Sequence, residues 1–344
     1  MKTIMPDGKE GVWLVDIPIP EIFENSVLCK VTHSLISPGT ERGIIKTCVG
    51  KSKDEIVRQG NRLGYCGAGV VEEVKGKDIH FKKGERVAFY GAPYVSHSEY
   101  VVVPENLILP IPENVESECA SFIGLGAISL HGFRLGKISI GDICLVAGAG
   151  IIGNLCAQIA LLSGCKVIVS DFNSERLEAF ENCFQNKDDY ICINPEMTIE
   201  TILKMSENQG ADAVFLCMST DSSQPIEQAI KIVRAGGRIV VVGVLDIHIP
   251  REEFFLKEAE ITISRAAGPG RYDVHYEKEG IDYPPQYVRW TEGRNLKEVL
   301  HLITNGRLNV QPLISRIFAI DNVDEAYSCI LKGTSDLGII IKWT

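Results

Sequence analysis

The stretch CLVAGAGIIGNLCAQIALLSGCKVIVSD, residues 144–171, decides the fold of this chain. A short apolar run leads into three glycines with the spacing GxGxxG, a helix-length apolar stretch follows, and a second apolar run ends at Asp171. In such a unit the first glycine makes a tight turn, the second lets the backbone approach a pyrophosphate and the third permits close helix packing. The stretch therefore predicts a strand, turn, helix and strand that bind a dinucleotide.

The residue after the second strand indicates which dinucleotide is bound. An acidic side chain there accepts hydrogen bonds from a ribose 2′-OH and repels a 2′-phosphate, so Asp171 favours NAD over NADP. Two alternatives stay open, because Asp171 could instead cap the next helix and Arg176 could neutralise a phosphate. The predicted cofactor-binding residues are Gly148, Gly150, Ile151, Ile152, Gly153, Asp171, Arg176 and Gly243.

Two different sequence patterns follow one another along the chain. Up to about residue 115, short β-type runs separated by glycine and proline indicate an irregular β-domain. From about residue 120, apolar runs alternate with amphipathic stretches of helix length, which is typical of a parallel sheet covered by helices. The predicted strands of that sheet are 144–147, 166–170, 213–217, 238–243 and 260–264.

The end of the sequence predicts a discontinuous first domain. The strand-like runs ISRIFAI and GIIIKW follow a predicted helix at 295–304 and could return to the N-terminal β-domain. We therefore predict an α/β fold: a doubly wound parallel Rossmann sheet at 119–264, with a mostly β substrate domain formed by 1–118 and 265–344.

Composition excludes several classes of protein. The formal net charge of −10 disfavours a sequence-independent grip on nucleic acid. No apolar segment is long enough for a membrane span, and the N-terminus lacks the pattern of a secretory signal. The eleven cysteines form no CxxC pair, as expected of reduced thiols. These features predict a cytoplasmic protein with no membrane and no nucleic-acid partner.

The whole pattern resembles the medium-chain dehydrogenase/reductase superfamily. The segments LGYCGAGVV, HSEYVVVPENL, LGAISLHGFRLG and GPGRYDVHYEKEGIDYPPQYVRWTE are similar to the dehydrogenase half of bacterial bi-domain oxidoreductases. The resemblance implies a GroES-like fold for the β-domain, an NAD-dependent dehydrogenase activity on a small-molecule substrate, and a homo-oligomer, either a dimer or a tetramer.

The resemblance also locates where zinc-dependent relatives carry metal ligands, and this sequence departs from it there. The first ligand position falls on Pro38, or on Ser37 if the alignment slips by one; the second is Tyr65, and the third lies near Gly124. A catalytic zinc needs about three N, S or O donors, so we predict no metal. A site built from Cys66, His97 and Glu99 stays an alternative.

Without zinc, side chains must stabilise or deprotonate the substrate oxygen. The resemblance places Thr40 where zinc-containing relatives have a proton-relaying hydroxyl, and Tyr65 could present a phenol in the lost ligand position. His97 carries an imidazole, the side chain most often used for proton transfer. We predict catalytic roles for these three residues, although each could also be structural. Glu41 and Arg42 could equally be solvated.

A long polar segment, residues 268–292, follows the last Rossmann strand. It is dense in Arg, Tyr and Trp, which predicts an ordered loop rather than a disordered one. The resemblance implies that it forms a wall of the substrate cleft, and an oligomer contact is the compatible alternative. The predicted substrate-binding residues are Arg271, Tyr272 and Arg289.

Together these features predict hydride transfer between NAD and the alcohol or ketone carbon of a polar substrate of the sugar, polyol or cyclitol kind. One alternative is a zinc-free quinone or enoyl reductase, which would more often use NADPH. The other is a non-catalytic nucleotide-binding partner subunit, because a retained dinucleotide turn does not require turnover.

Overall fold

A computed structural model describes residues 1–77, 79–184 and 188–343. The chain forms two compact units. The first comprises Met1–Leu125, Pro269–Gly306 and Ile314–Thr344, and the second comprises Gly126–Gly268 and Arg307–Leu313. The short segment Arg307–Leu313 thus belongs with the second unit, where Gln158 donates from Nε2 to the carbonyl of Asn309 at 3.0 Å and accepts from its backbone N–H at 2.9 Å.

The elements of both units follow in chain order. The strands are β1 (Lys2–Pro6), β2 (Val12–Asp16), β3 (Ser26–Leu35), β4 (Cys66–Lys75), β5 (Arg86–Tyr90), β6 (Tyr100–Pro104), β7 (Ile108–Pro110), β8 (Ile143–Ala147), β9 (Lys166–Ser170), β10 (Tyr190–Ile193), β11 (Ala211–Leu216), β12 (Val233–Val241), β13 (Glu260–Ile263), β14 (Ile314–Ala319) and β15 (Gly338–Lys342). The helices are α1 (Pro38–Cys48), α2 (Lys53–Gln59), α3 (Ser117–Ala120), α4 (Ile123–Gly136), α5 (Ile151–Leu162), α6 (Ser174–Glu181), α7 (Thr198–Met205), α8 (Gln224–Ile232), α9 (Arg251–Lys257), α10 (Val274–Glu277), α11 (Glu292–Thr304) and α12 (Val323–Lys332).

The second unit is built on a parallel sheet with the strand order β10-β9-β8-β11-β12-β13. This is the doubly wound Rossmann order, which reverses between β8 and β11. Successive residues of β8 pack on opposite faces, since Leu145 belongs to one apolar cluster and Val146 to the other. A sheet buried on both faces explains the almost continuous apolar runs in the sequence.

The first unit is mostly β. Its main sheet has the order β14-β15-β3-β4-β5-β7, and β6 also pairs with β3. Strand β15 pairs with both β14 and β3, with Ile340 opposite Leu35, so the last described strand lies inside this sheet. The predicted fold class, a doubly wound sheet plus a discontinuous and mostly β domain, is confirmed.

The sequence missed one strand of the Rossmann sheet and placed most others well. Strand β9 matches its predicted bounds, and β8, β11 and β13 differ from theirs by up to two residues. The missed strand, β10, lies at the sheet edge and has only four residues, of which Ile191 is exposed. So short and partly exposed a strand lacks the apolar run that marks its neighbours.

Among the described residues, no helix is both long and apolar enough to cross a membrane.

Candidate functional site

The glycine-rich turn between β8 and α5 has the geometry that its sequence requires. Gly148 has φ +96°, a left-handed conformation that glycine adopts without strain. A Cβ on Gly153 would lie 1.7 Å from the carbonyl oxygen of Gly148, so helix α5 packs directly on the turn. The Cβ direction of Gly150 is open, which leaves space beside the backbone at the start of α5.

The first turn of α5 combines exposed backbone donors with buried apolar anchors. Gly150 is the N-cap and, having no side chain, makes no capping bond, so N–H groups at this helix end can bind an anion. Ile151 is buried, and the carbonyl of Ile152 accepts a hydrogen bond from Ser129 at 2.9 Å. These two residues therefore fix the turn, while a phosphate would contact the backbone.

Asp171 follows β9 and braces the same turn. Its Oδ2 accepts from the backbone N–H of Ala149 at 2.7 Å, and its Oδ1 accepts from that of Asn173 at 2.8 Å. Each carboxylate oxygen keeps a further lone pair for a ribose hydroxyl. The N-cap of α6 is Asn173, whose side chain accepts from the N–H groups of Glu175 and Arg176, so the alternative in which Asp171 caps this helix is wrong.

Two further predicted cofactor residues lie at the same carboxyl edge of the sheet. Gly243 follows β12, and a Cβ there would lie 1.8 Å from the carbonyl oxygen of Met218, after β11. Arg176 lies in the first turn of α6, which begins shortly after Asp171. Ligands of doubly wound sheets bind outside the carboxyl ends of the strands, so these residues fit a dinucleotide.

In the first unit, the N-terminus of α1 meets the segment before β4 through a pair of hydroxyl groups. The phenol of Tyr65 donates to Ser37 Oγ at 2.6 Å, and the hydroxyl of Thr40 also lies within its hydrogen-bonding reach. The ring of Tyr65 stands edge-on to Tyr90, with centroids 5.9 Å apart. Ser37 is buried, whereas Thr40 is exposed on the first turn of α1.

Burial raises the pKa of the Tyr65 phenol above its ordinary value of 10.0, and the thiol of Cys66 and the carboxylate of Glu41 raise it further. Hydrogen bonds from Ser37 and Thr40 act in the opposite direction but are outweighed. The neutral phenol therefore persists at physiological pH. Tyr65 can act as a hydrogen-bond donor to a substrate oxygen, and it is not suited to act as a phenolate base.

The predicted catalytic residue His97 lies in the core of the first unit. It is 0% exposed, its Nε2 lies 3.1 Å from Glu41 Oε1, and its Nδ1 is hydrogen-bonded to Ser34 Oγ at 2.8 Å. A Cβ on Gly64 would lie 2.6 Å from its ring, so the backbone leading to Tyr65 packs on the imidazole. Both nitrogens are thus held inside the unit, which disfavours direct proton exchange with a substrate.

The predicted substrate residue Arg271 is also buried. It is 7% exposed, and its guanidinium donates to Glu277 Oε1 at 2.5 Å and to the carbonyl of Ala92. The carboxylate of Glu277 also accepts from the backbone N–H of Tyr272 at 2.9 Å. Arg271 therefore anchors the loop 268–292, and its prediction as a substrate-binding residue is not supported by its position.

The other two predicted substrate residues are exposed on that loop. The backbone of Tyr272 has φ +68°, and its side chain is exposed. The guanidinium carbon of Arg271 lies 4.2 Å from the centroid of the Tyr272 ring. Arg289 lies over the ring of Trp290 at 4.1 Å. An L-residue held in the left-handed region is uncommon, and its strain is often maintained for function. Tyr272 and Arg289 are thus accessible to a ligand.

The sequence and the fold of this chain are similar to those of known dehydrogenases. A family model described as zinc-binding dehydrogenase matches residues 152–277. L-threonine 3-dehydrogenase of Escherichia coli O157:H7 is 24% identical over 98% of this chain and 97% of its own length. Galactitol-1-phosphate dehydrogenase from Escherichia coli superposes with a TM-score of 0.78 at 20% identity, with 100% of each chain covered. A zinc-binding dehydrogenase from Sinorhizobium meliloti 1021, bound to NADP, gives a TM-score of 0.74 at 19% identity, covering 99% of both chains.

The chain is therefore similar, over nearly its whole length, to members of the medium-chain dehydrogenase/reductase superfamily. This similarity supports an oxidoreductase activity.

The residues at the superfamily's zinc-ligand positions do not fit the metal. Ser37 Oγ is held by Tyr65, and a Cβ on Gly124 would already lie 2.5 Å from the Tyr90 ring and 2.9 Å from Cys66 Cβ. Burial raises the pKa of the Cys66 thiol, whereas zinc binds the thiolate. Among residues 1–77, 79–184 and 188–343, no group of three or more His, Cys, Asp or Glu side chains could hold a metal. The alternative set Cys66, His97 and Glu99, which lies within these ranges, therefore forms no such group.

Two functional candidates of this site, Ser37 and Glu41, are missed by sequence reasoning. Ser37 was considered only as a lost zinc ligand, although it accepts the Tyr65 hydrogen bond. The sequence predicts that Glu41 could equally be solvated, but its side chain is 0% exposed. The available signal was its position four residues after Ser37, at the start of a helix whose first residue is proline, where an acidic side chain can return to the N-cap.

Proposed function

We propose that this chain is an NAD-dependent dehydrogenase that oxidises an alcohol carbon, or reduces the corresponding carbonyl, of a polar hydroxylated substrate without a catalytic zinc. The observation that carries this proposal is the hydrogen bond from Tyr65 to Ser37, formed where zinc-dependent relatives bind their metal. When bound, the nicotinamide accepts or supplies the hydride. All other steps fall to side chains of the protein.

The phenol of Tyr65 takes over the electrophilic role. Negative charge builds on the substrate oxygen in the transition state, and a positioned hydrogen-bond donor stabilises that charge. Because burial keeps the phenol protonated, Tyr65 is ready to donate in the reduction direction. Ser37 orients the phenol before the substrate arrives.

The proton released on alcohol oxidation needs a path to water. Thr40 is exposed and lies within hydrogen-bonding reach of Tyr65. A hydroxyl can accept one proton while it donates another, so Thr40 can connect the phenol with solvent. This assigns a relay role to Thr40 and donation to Tyr65, with His97 behind them in the protein interior.

The choice of NAD rests on Asp171. Its carboxylate is fixed by the N–H groups of Ala149 and Asn173, so it cannot easily turn away from a 2′-phosphate. The charge repulsion then disfavours NADP. The polar substrate class is supported by the exposed Tyr272 and Arg289, which offer stacking and hydrogen bonding to a hydroxylated molecule.

A substrate panel tests the proposal. The protein is treated with a mild chelator, its zinc content is measured, and it is mixed with NAD and polyols, sugars or cyclitols while absorbance near 340 nm is followed. We expect turnover at well under one zinc per chain, reduced strongly in Tyr65→Phe. Turnover that requires restored zinc would overturn the zinc-free mechanism. Activity confined to NADPH with quinones or enoyl compounds would identify the reductase alternative, and silence with every pair would favour a non-catalytic subunit.

A further inference from the structure

The carboxylate of Glu41 lies at the centre of a buried polar network in the first unit. It accepts the backbone N–H of Ser37 at Oε1, 2.7 Å away, and the phenol of Tyr327 at Oε2. The Nε2 of His97 lies 3.1 Å from Oε1 and 3.2 Å from Oε2. Glu41 and His97 are both 0% exposed.

A buried carboxylate destabilises the folded state unless several hydrogen-bond donors satisfy it. Here the donors come from separate parts of the chain: the N-terminus of α1, the segment before β6 and helix α12. Burial and the nearby Glu41 charge raise the pKa of Tyr327, so its phenol stays protonated and continues to donate. An apolar side chain at this position would avoid the desolvation penalty. We take the presence of a carboxylate here as an indication that Glu41 has a functional role.

The network reaches the hydroxyl pair through Ser37. Ser37 is the N-cap of α1, yet its side chain makes no capping bond. Instead Glu41 returns to the N-cap twice, its backbone N–H donating to the Ser37 carbonyl at 3.0 Å and its carboxylate accepting the Ser37 N–H. The N-terminus of α1 is thereby fixed, and Ser37 Oγ is left to accept from Tyr65.

The far side of the network is equally well anchored. His97 Nδ1 is hydrogen-bonded to Ser34 Oγ, which also accepts from Trp343 Nε1 at 2.8 Å. The ring of His97 stands edge-on to that of Tyr327, with centroids 6.4 Å apart. These contacts fix His97, and the Glu41 carboxylate bonded to it therefore has little freedom to move.

We propose that Glu41 is the positioning residue of the Tyr65–Ser37 hydroxyl pair, holding Ser37 so that the phenol points to the substrate oxygen. This inference rests on the proposed function for its catalytic meaning. Its structural content, a coupling between Glu41 and Tyr65 through Ser37, is separate and can be measured without turnover.

Tyrosine labelled with ¹³C at Cζ gives the activity-independent test. The chain has 10 tyrosines, and the signals of Tyr65 and Tyr327 are assigned with the Tyr65→Phe and Tyr327→Phe variants. We expect Glu41→Gln to shift both signals, and Ser37→Ala to shift that of Tyr65. The matched control, Glu24→Gln, replaces an exposed carboxylate of the same unit and should shift neither. A Tyr65 signal unmoved in folded Glu41→Gln would overturn the proposal.

A milder variant covers the case in which Glu41→Gln does not fold. Tyr327→Phe removes one donor to the carboxylate and leaves its charge in place. We expect it to shift the Tyr65 signal by a smaller amount in the same direction. An unchanged Tyr65 signal in this folded variant would equally overturn the coupling.

A double-mutant cycle gives the kinetic test. We expect Glu41→Gln to lower kcat about tenfold or more, as misplacement of a catalytic group does, while the Kd for NAD changes little. In a Tyr65→Phe background the same substitution should have almost no further effect. Equal losses in both backgrounds would show that Glu41 does not act through Tyr65. If Tyr65→Phe alone leaves kcat unchanged, the catalytic role in the proposed function fails, and the labelled signals still decide the coupling.

Discussion

The Oδ2 atom of Asp171 accepts a hydrogen bond from the backbone N–H of Ala149 at 2.7 Å, in the middle of the glycine-rich turn. The acidic residue that would select the ribose thus also stabilises the turn that would bind the pyrophosphate. Cofactor choice and turn geometry depend on one carboxylate.

Replacing that carboxylate should change both properties. We expect Asp171→Ser to raise the Kd for NAD and to narrow the gap between NAD and NADP, because repulsion of the 2′-phosphate is lost. Titration calorimetry with both cofactors measures the change. Equal affinities in the unaltered protein would remove the argument for NAD. Glu175→Gln, on the exposed side of α6, serves as the control.

The role of Tyr65 as a donor predicts a specific kinetic loss. Tyr65→Phe should lower kcat about 10²- to 10³-fold, the usual effect of removing one donor from an oxyanion site, with the Kd for NAD unchanged. Because burial raises the Tyr65 pKa above 10.0, the pH profile of kcat should show no limb from its ionisation below about pH 10. A basic limb near pH 7 that disappears in Tyr65→Phe would contradict this role.

Replacing Arg271 should lower the unfolding free energy more than it changes the kinetic constants. Arg271→Ala leaves the carboxylate of Glu277 buried without its ion-pair partner, which typically costs about 3–5 kcal/mol. Urea denaturation should show this loss, and Arg289→Ala should change stability little because Arg289 is exposed. For kinetics we expect the opposite ranking of the two variants, in which Arg289→Ala raises KM more than Arg271→Ala does. An Arg271→Ala protein of unchanged stability would refute the anchoring role.

His131 on α4 predicts a pH dependence of stability. Burial, followed by repulsion from Arg134 and Arg265, lowers its pKa from 6.5 to about 4. The unfolded chain therefore takes up a proton first as the pH falls. The unfolding free energy should be constant above about pH 7 and decrease between about pH 6.5 and 4, by up to about 3 kcal/mol. Comparing His131→Gln with the wild type across this range isolates the effect, and His248→Gln, at an exposed position, is the control.

The edge of the Rossmann sheet is where we propose that two copies of the chain associate. Strand β13 ends the sheet, and exposed apolar side chains lie on it and on the preceding helix α9: Ile263 at 62%, Phe255 at 69% and Leu256 at 78%. Edge strands and apolar patches of this kind favour association. We expect Leu256→Glu to reduce the mass observed by light scattering, and Ile140→Glu, at another exposed position of the same unit, to leave it unchanged. A wild-type monomer would refute the proposal.

The Rossmann unit could be predicted from sequence because its signals are local. The glycine spacing from Gly148 to Gly153 lies within one turn of chain, and each buried strand is an apolar run. Where the signal was weak, as at β10, the prediction failed. The order of the strands and the burial of both sheet faces follow from general rules for parallel sheets.

The first unit was harder to predict because its important contacts join distant residues. Nothing near His97 in the sequence shows that its partner is Glu41, or that Tyr327 meets the same carboxylate. The pairing of Arg271 with Glu277 is closer in sequence, but the composition of the loop suggested a ligand wall instead. Charged side chains are usually exposed, so their burial in pairs could not be inferred from residue type alone.

The position of strand β15 has a consequence for how this protein folds during its synthesis on the ribosome. This strand inserts between β14 and β3, with Ile340 opposite Leu35, so an early strand of the first unit waits for a partner that is translated far later. During that interval His33, Ser34 and Leu35 of β3 lack their hydrogen-bonding neighbour on the β15 side, although β6 can already pair with Ser26–Lys30. The residues of the Rossmann sheet have emerged by then. Closure of such a distant pair is slow and exposes strand edges. We therefore expect the nascent first unit to depend more on chaperones during synthesis than the Rossmann unit does.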